Sequence, residues 1–451
     1  MYKKIFKFFF IATVALCIGS VYAKSERENP EHIDVVSESS INTLKEAVNI
    51  IKNEYVTEVD EGRLIEYAVN GMLASLDPHS GFYTKEALSE GALYTSDIES
   101  GIGIEITVDN GSIKIVTPIE GGPAEKVGVK AGDYIMAIDD TSVFGMSIYD
   151  VMQRVAGKPN SHIKLTIFRE GVSPSLEFRL KRENVTIHPT IVDYVDEGIL
   201  YMRISTFDQN TYSSMEKKLR SYIKKNNPSG IIIDLRNNPG GLISEAVKVV
   251  SMFVEDSTVV YTRGRDESSI SEYHSDSDVL KMRNIPIVML INNGTASAAE
   301  IVAGALQDYK KAVVLGTRSF GKGSVQDVIP LEGGSAISIT TSLYYTPTGR
   351  SIQAEGVVPD IIIEDIEVKK YKEDRAFREE NIEGHLERVK DINQTRGSYV
   401  VEKIRKKMRH GKEKTCKKCR DDYMIIRAVD LVKGINIYKL AIGNNIADKK
   451  Q

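Results

Sequence analysis

The sequence predicts a multidomain α/β protein, on three observations. Amphipathic helical patterns follow the amino terminus, a β-rich unit comes next, and the carboxyl half alternates short apolar strands with helices. The chain has 451 residues, 41% of them hydrophobic and 27% charged, which is an ordinary globular composition with room for about two to four domains. A helical region, a β-rich domain and an α/β core are therefore expected in this order.

The amino terminus has the pattern of a secretory signal. Three lysines precede the apolar run 8–18, and Ala23 ends the segment with the small residue that signal peptidase prefers. Residues 1–23 are therefore predicted to be a signal peptide, and an exported, periplasmic protein is expected. Because Tyr22 and Lys24 flank the cleavage point, an uncleaved signal that tethers the protein to the inner membrane is the alternative.

Charge and cysteine content limit the partners. Removing residues 1–23, which contain three lysines and no acid, takes the formal net charge from −4 to −7, so nucleic acid is not an expected partner. Cys416 and Cys419 form a Cys-x-x-Cys pair. A local disulfide and two plain thiols both stay open, whereas a zinc site would need a second ligand pair. No metal and no cofactor are expected.

Residues 24–100 are predicted to hold a flexible lead and a helical cap. Residues 24–36 are polar and aperiodic, and residues 40–75 then show apolar positions at helical spacing in two segments. The two helices either pack on the core or pair with a second copy, so a homo-oligomer through them stays open. His79, in a Pro-containing turn, is expected to make only local hydrogen bonds.

Residues 101–180 are predicted to form a β-rich domain. A Gly-rich opening strand, a helix start at Pro123-Ala124 and the run 129–138 resemble a PDZ domain. PDZ modules add a peptide as an extra strand and hold its terminal carboxylate on backbone N–H groups. The resemblance implies protein substrates with free apolar carboxyl termini as partners. It also implies that the peptide-binding loop consists of Gly101, Ile102, Gly103 and Ile104.

One position departs from the PDZ pattern of the related proteins. The turn after the second PDZ helix often reads Arg-Gly in relatives, and here it reads Ala156-Gly157-Lys158. An arginine that couples peptide binding to a catalytic site is therefore not carried over to this chain.

Residues 186–365 are predicted to form the α/β core. Its apolar run Ile287–Ile291 is short, β-branched and closed by Asn-Asn-Gly, and a helical pattern follows, which predicts a strand, a tight turn and a helix. Ser297 falls at the start of that helix, where free N–H groups and the helix dipole favour negative charge. Ser297 is therefore a candidate nucleophile, with helix capping as the alternative role.

A serine nucleophile needs a base. None of the seven histidines lies in a motif that resembles a triad element. The loop 321–326 instead offers Lys322 between two glycines. A lysine can deprotonate serine only if burial lowers its pKa, as in the Ser-Lys variants of the triad. Lys322 is therefore the candidate base.

Four motifs in this order resemble the carboxy-terminal processing (tail-specific) serine peptidases. They are Leu76–Ser80, Asp234–Gly241, Gly294–Glu300 and Phe320–Gln326, and the likeness covers about residues 40–365. Several motifs in a fixed order are far more specific than any one of them.

The resemblance implies a role for several side chains. Ser297 is implied as nucleophile, Lys322 as general base and Gln326 as the residue that orients the lysine. The N–H group of Ala298 is implied as one oxyanion donor, and the choice between Gly240 and Gly241 for the second stays open. The strand, turn and helix also resemble a crotonase-like core.

The main prediction is an exported serine endopeptidase that selects proteins by their carboxyl-terminal tails. A catalytically silent PDZ scaffold and a non-peptidase acyl-handling enzyme on a crotonase-like core are the alternatives. The intact Ser297, Lys322 and Gln326 argue against the first, and the PDZ unit against the second. A requirement for an adaptor protein stays open.

Residues 366–451 are predicted to be a charged extension with a docking helix. Residues 369–420 are dense in both charges, and residues 423–442 restore an apolar helical pattern.

Within the core, Asp234 and Arg236 are interpreted as a structural ion pair at a strand end.

Overall fold

The computed structural model covers two compact units, Met1–Val69 and Asn70–Gln451. The described residues are 36–89, 100–109, 111–146, 148–184, 189–224, 227–364, 419 and 422–448. The predicted signal peptide and most of the charged extension lie outside these residues. Within the described part of the chain, no helix combines the length and the apolar character that crossing a bilayer requires.

The first unit contains helix α1 (Glu38–Glu54) and the beginning of helix α2 (Glu61–Ala74). Ser37 caps α1, because its hydroxyl accepts the N–H of Ser40 at 3.2 Å. No residue of α1 is buried, and apolar side chains such as Leu44 are exposed. The two amphipathic helices expected in this region are therefore present.

The second unit begins with short elements and the β-rich domain. Its elements up to residue 181 are β1 (Gly81–Tyr83), α3 (Lys85–Ser89), β2 (Ile104–Asp109), β3 (Ser112–Pro118), α4 (Pro123–Lys126), β4 (Tyr134–Ile138), β5 (Thr141–Ser142), α5 (Ile148–Val155), β6 (His162–Phe168) and β7 (Leu176–Lys181). Strands β2, β3, β4, β6 and β7 form one antiparallel sheet in this order, and β5 pairs with β4. Alternate residues such as Ile113, Ile115 and Leu165 are fully buried between sheet and helices.

The α/β core follows. Its elements are β8 (Thr190–Asp196), β9 (Ile199–Ile204), α6 (Thr211–Ile223), β10 (Gly230–Asp234), α7 (Ile243–Ser251), β11 (Thr258–Gly264), β12 (Ser271–His274), β13 (Ile287–Ile291), α8 (Ala298–Asp308), β14 (Ala312–Gly316), β15 (Ser324–Pro330), β16 (Ala336–Tyr345), β17 (Ile361–Ile362) and α9 (Tyr423–Asp448). The multidomain α/β class predicted from the sequence is confirmed.

The central sheet has six strands in the order β17-β14-β13-β10-β9-β8, parallel except for the edge strand β8. Both faces are covered, because Ile231 and Ile233 pack with α6, α7 and α8 while Ile232 packs with α9. Parallel strands buried on two faces are apolar throughout, as the run Ile287–Ile291 is.

A second sheet contains the hairpin that follows the Lys322 loop. It has the order β1-β16-β11-β12, and β15 pairs with β16 as a hairpin. The segment 321–326, expected to be a loop, therefore ends at Gly323, because Ser324 already pairs with Leu343 of β16. Strand β1 pairs with β16 through Gly81 to Ser338, which brings the preceding turn to this sheet.

Candidate active site

Ser297 lies in the tight turn between β13 and α8, as the sequence indicates. Its backbone has φ 54° and ψ −120°, a conformation that residues other than glycine rarely adopt. The turn is fixed to the neighbouring strand, since Thr295 Oγ1 donates to the carbonyl of Leu235 at 2.8 Å. Backbone strain of this kind is concentrated at functional sites.

The carboxylate of Glu300 joins the Ser297 turn to the Lys322 loop. It accepts the N–H groups of Ser297 (2.9 Å), Gly321 (2.7 Å) and Lys322 (2.9 Å) and the hydroxyl of Ser319 (2.5 Å). Burial raises the pKa of Glu300 to about 7, although these four hydrogen bonds oppose the shift. One buried side chain therefore positions both the candidate nucleophile and the candidate base.

The two glycines beside Lys322 are required by the path of the loop. Gly321 has φ 91°, in the left-handed region. A Cβ at Gly323 would lie 2.4 Å from the backbone nitrogen of Gln353, so the loop passes against another segment too closely for a side chain. Lys322 itself is half-buried.

Two titratable side chains lie close enough to Lys322 to sense its charge. The pKa of His79 is lowered to about 4, mainly by burial and also by the positive charge of Lys322. The imidazole ring is therefore neutral at pH 7. Glu105 on β2 is exposed to water and also senses the positive charge of Lys322, which acts to lower the pKa of this carboxyl. His79 was expected to make only local hydrogen bonds, but it also lies near the candidate base Lys322.

Gln326 lies on β15 rather than in the loop. Its Nε2 atom lies 2.9 Å from Ser324 Oγ and 3.0 Å from Thr340 Oγ1. The amide is thus fixed by hydroxyl groups of its own hairpin, four residues beyond Lys322.

The candidate oxyanion donors surround Ser297. A Cβ at Gly240 would lie 2.8 Å from Ser297 Cβ, so only glycine fits beside the serine. The N–H of Gly240 donates to Asn238 Oδ1 at 2.8 Å and is therefore engaged. Ala298 is the first residue of α8, where the N–H has no intrahelical acceptor. Because the Gly240 N–H is engaged, Gly241 and Ala298 remain the candidate donor pair.

The candidate peptide-binding loop opens the β-rich domain. Gly101 exchanges two backbone hydrogen bonds of 3.0 Å with Glu183, so its N–H is engaged. The carbonyl of Gly103 accepts the N–H of Ile119, directly after β3, and the carbonyl of Ile102 accepts the N–H of Ala124 in α4, at 2.9 Å each. Ile104 begins β2. The N–H groups of Ile102, Gly103 and Ile104 are therefore the donors left to this loop, since β2 is an edge strand.

A buried ionic network connects the β-rich domain to the core. Arg203 Nε lies 2.8 Å from Glu120 Oε2 and Arg203 Nη1 lies 3.6 Å from Asp234 Oδ1. Asp234 also pairs with Arg236 at 2.6 Å, as interpreted from the sequence, and Arg236 reaches Asp422 at 2.9 Å. Burial would raise the pKa of Asp234, but Arg236 and Arg203 lower it to about 2.

Further from the site, Cys419 is disulfide-bonded and only 3% exposed, and Cys416 lies outside the described residues. A free thiol at Cys419 is therefore wrong, and its pairing with Cys416 stays a prediction. In the turn that departs from the PDZ pattern, Arg182 donates to the carbonyls of Val155 and Arg154, which end α5.

Comparisons with known proteins address three segments. Residues 198–363 match peptidase family S41, residues 114–169 match the PDZ domain, and residues 15–87 match the N-terminal domain of the activating protease CtpB.

Several relatives are similar over most of the chain. The carboxy-terminal-processing protease of Bartonella bacilliformis is 40% identical over 353 residues, which are 77% of this chain and 81% of that protein. The carboxy-terminal processing protease CtpB of Bacillus subtilis is 32% identical and is matched over 73% of this chain and 69% of its own length. A solved photosystem II D1 C-terminal processing protease aligns with TM-score 0.62 and 32% identity, over 73% of this chain and 94% of that one.

Proposed function

Since the chain belongs to the PDZ-containing carboxy-terminal processing peptidases of family S41, we propose that it cleaves proteins with a Ser297–Lys322 dyad. The observation that supports the dyad best is the Glu300 carboxylate, which binds the backbone of both residues. A shared buried carboxylate keeps nucleophile and base in a fixed relation, which a serine that merely caps α8 would not need.

In the proposed reaction, Ser297 Oγ attacks the scissile carbonyl carbon and Lys322 accepts the hydroxyl proton. The N–H groups of Ala298 and Gly241 stabilise the oxyanion. Lys322 then gives the proton to the leaving amine, and an acyl-enzyme remains on Ser297. Water attacks this ester with Lys322 again as base, which releases the new carboxyl terminus.

Substrate selection is assigned to the PDZ domain. The proposed substrates are proteins with free apolar carboxyl termini, whose carboxylate would bind the N–H groups of Ile102 and Gly103. The core is proposed to be of the crotonase-like type, on the support of its strand, turn and helix around Ser297.

Export to the periplasm is proposed from the signal pattern of residues 1–23. The disulfide at Cys419 supports an oxidising compartment. The exposed apolar side chains of α1 support a homo-oligomer formed through the amino-terminal helices.

The dyad is tested by replacing its two members. Ser297→Ala and Lys322→Arg should each lower kcat/KM on a peptide with a free apolar carboxyl terminus by at least about a thousandfold. Arg keeps the positive charge but stays protonated, so it cannot act as a base. The same measurement on Lys311→Arg, an exposed lysine outside the site, should stay within about twofold of wild type.

Melting temperatures decide between catalysis and capping. An inactive Ser297→Ala protein with an unchanged melting temperature supports the nucleophile. An active Lys322→Arg protein would exclude the dyad, and a wild-type protein without hydrolysis would favour the silent scaffold.

A further inference from the structure

The amide of Gln326 makes two hydrogen bonds through its nitrogen. Nε2 contacts the hydroxyls of Ser324 and Thr340 at 2.9 and 3.0 Å. An amide nitrogen carries two hydrogens and only donates. Both hydrogens are therefore engaged, so the carbonyl oxygen is the part of the amide that could accept from the amine of Lys322, the role that the family resemblance implies for Gln326.

Thr340 determines which way this amide is turned. Its side chain lies beside the Asp77 carboxylate, and burial, which would raise the pKa of Asp77, is outweighed by hydrogen-bonding groups of His79, Ser80 and Thr340 that hold this pKa below its usual value. An ionised carboxylate only accepts, so the Thr340 hydroxyl gives its hydrogen to Asp77 and must accept from Gln326. A reversed amide would place its oxygen against a hydroxyl that has no hydrogen left to donate.

Asp77 is itself held in place by the turn that precedes β1. Its Oδ1 atom accepts the N–H groups of His79 (2.7 Å) and Ser80 (2.8 Å), and its Oδ2 atom accepts the Ser80 hydroxyl (2.9 Å). Ser80 Oγ also accepts the N–H of Thr340 at 3.2 Å. The turn and strand β16 are therefore joined at the residue that contacts Gln326.

We propose that Thr340 and Asp77 are positioning residues of the peptidase reaction, which orient the Gln326 amide so that its oxygen serves Lys322. This inference rests on the proposed Ser297–Lys322 dyad. It gives the Leu76–Ser80 motif a catalytic purpose, although this motif is separated from Lys322 by the whole β-rich domain in sequence.

The first test is the kcat of Thr340 variants. Thr340→Val removes the hydroxyl at nearly constant volume and should lower kcat about tenfold with KM within about twofold, the size expected for one charge-linked hydrogen bond. Thr340→Ser keeps the hydroxyl and should stay within about threefold of wild type. The matched control is Thr341→Val, which removes the neighbouring hydroxyl that binds Asp327 at 2.8 Å and should leave kcat unchanged.

The second test is a double-mutant cycle. In a Gln326→Ala background, Thr340→Val should cost less than about twofold more, because the group that it positions is gone. The rate at which a serine-directed covalent probe labels Ser297 gives the same comparison where turnover is slow. A wild-type kcat for Thr340→Val, an equal loss for Thr340→Ser, or a repeated tenfold loss in the Gln326→Ala background overturns the proposal.

The two proposals fail on different variants. Activity in Lys322→Arg overturns the dyad and the positioning role with it. An inactive Lys322→Arg protein together with a wild-type kcat in Thr340→Val overturns the positioning role alone.

Discussion

Glu300 is fully buried and carries one carboxylate among four hydrogen-bond donors. Its pKa is raised to about 7 from an ordinary value near 4.5. The folded protein therefore binds a proton at Glu300 between these pH values while the unfolded chain does not. The stabilisation from this proton is fully present below pH 4.5 and is lost as the pH rises through 7.

We expect Glu300→Gln to remove this pH dependence. The free energy of unfolding of wild type should fall between pH 4.5 and 7 by on the order of 3 kcal/mol through this group. A glutamine does not titrate, so the variant should lack that fall. Its NH₂ group would also face N–H donors, which should lower kcat at least about tenfold. Urea unfolding at several pH values measures the first effect.

The exposed Glu332 is the control, since Glu332→Gln should keep the wild-type curve. Parallel pH profiles for wild type and Glu300→Gln would contradict the buried titration.

Candidate site residues can be recognised in the sequence only where the local pattern marks them. Ser297 and Lys322 stand out because a strand, a turn and glycines surround them. Glu300 and Thr340 do not, because their importance comes from partners 19 or more residues away, as with Ser319 and Asp77. A glutamate at the third position of a helix is otherwise an ordinary capping residue.

At the scale of elements, α9 packs on the central sheet at Gly230, a position of β10 that has no side chain. A Cβ at Gly230 would lie 2.2 Å from Val432 Cγ1. Val432 and its helix neighbours Met424, Ala428 and Val429 are buried in this contact. The absence of a side chain at Gly230 is therefore what lets α9 approach β10.

We expect Gly230→Ala to lower the free energy of unfolding by about 1 to 3 kcal/mol, the usual cost of overpacking. Adding Val432→Ala should recover part of this loss, so that the two substitutions are not additive. Chemical denaturation measures both. The control on the same helix is Gly434→Ala, which meets no atom within 4 Å and should be neutral or stabilise by up to about 1 kcal/mol. Additive losses would show that Val432 does not limit the approach.

The elements with a clear period were predictable, including β13, α8, β16 and α9. Strand β15 was not, because its last four residues are all exposed and the strand is formed through its pairing with β16. The strand assignment of Gln326 depends on this pairing, which no local pattern reveals.

At the scale of the whole molecule, the proposed peptide-binding loop and the proposed catalytic site belong to different domains. A substrate with a free carboxyl terminus should be cleaved about 10 to 100 times faster than its amidated form, because a charged hydrogen-bond partner is lost. The measurement is kcat/KM at subsaturating substrate. Equal rates would reduce the PDZ domain to a spacer.

A pair of glycine variants sharpens this comparison. Gly103 has φ 69°, so Gly103→Ala should distort the loop and remove the preference for a free carboxylate. Gly145 in the same domain has φ 76° and open space around it, so Gly145→Ala introduces similar backbone strain away from the loop and should keep the preference.

The peptidase family and its PDZ domain were predictable from motifs. The contact between them was not, because Glu120 and Arg203 are 83 residues apart and neither belongs to a recognisable pattern. In the sequence, an acidic residue in a turn has no feature that distinguishes exposure to solvent from a contact with a buried guanidinium.

The Glu120–Arg203 contact restricts how freely such domains can be exchanged between proteins. Arg203 is only 7% exposed in its side chain, and Glu120 supplies one of its two carboxylate partners from the turn that follows β3. If a transplanted PDZ domain had no acid at that turn, the buried guanidinium of Arg203 would keep Asp234 and lose its second carboxylate partner. A buried charge that loses a partner destabilises the fold. A chimera built from this peptidase must therefore match the charge of that turn as well as the specificity of the peptide groove.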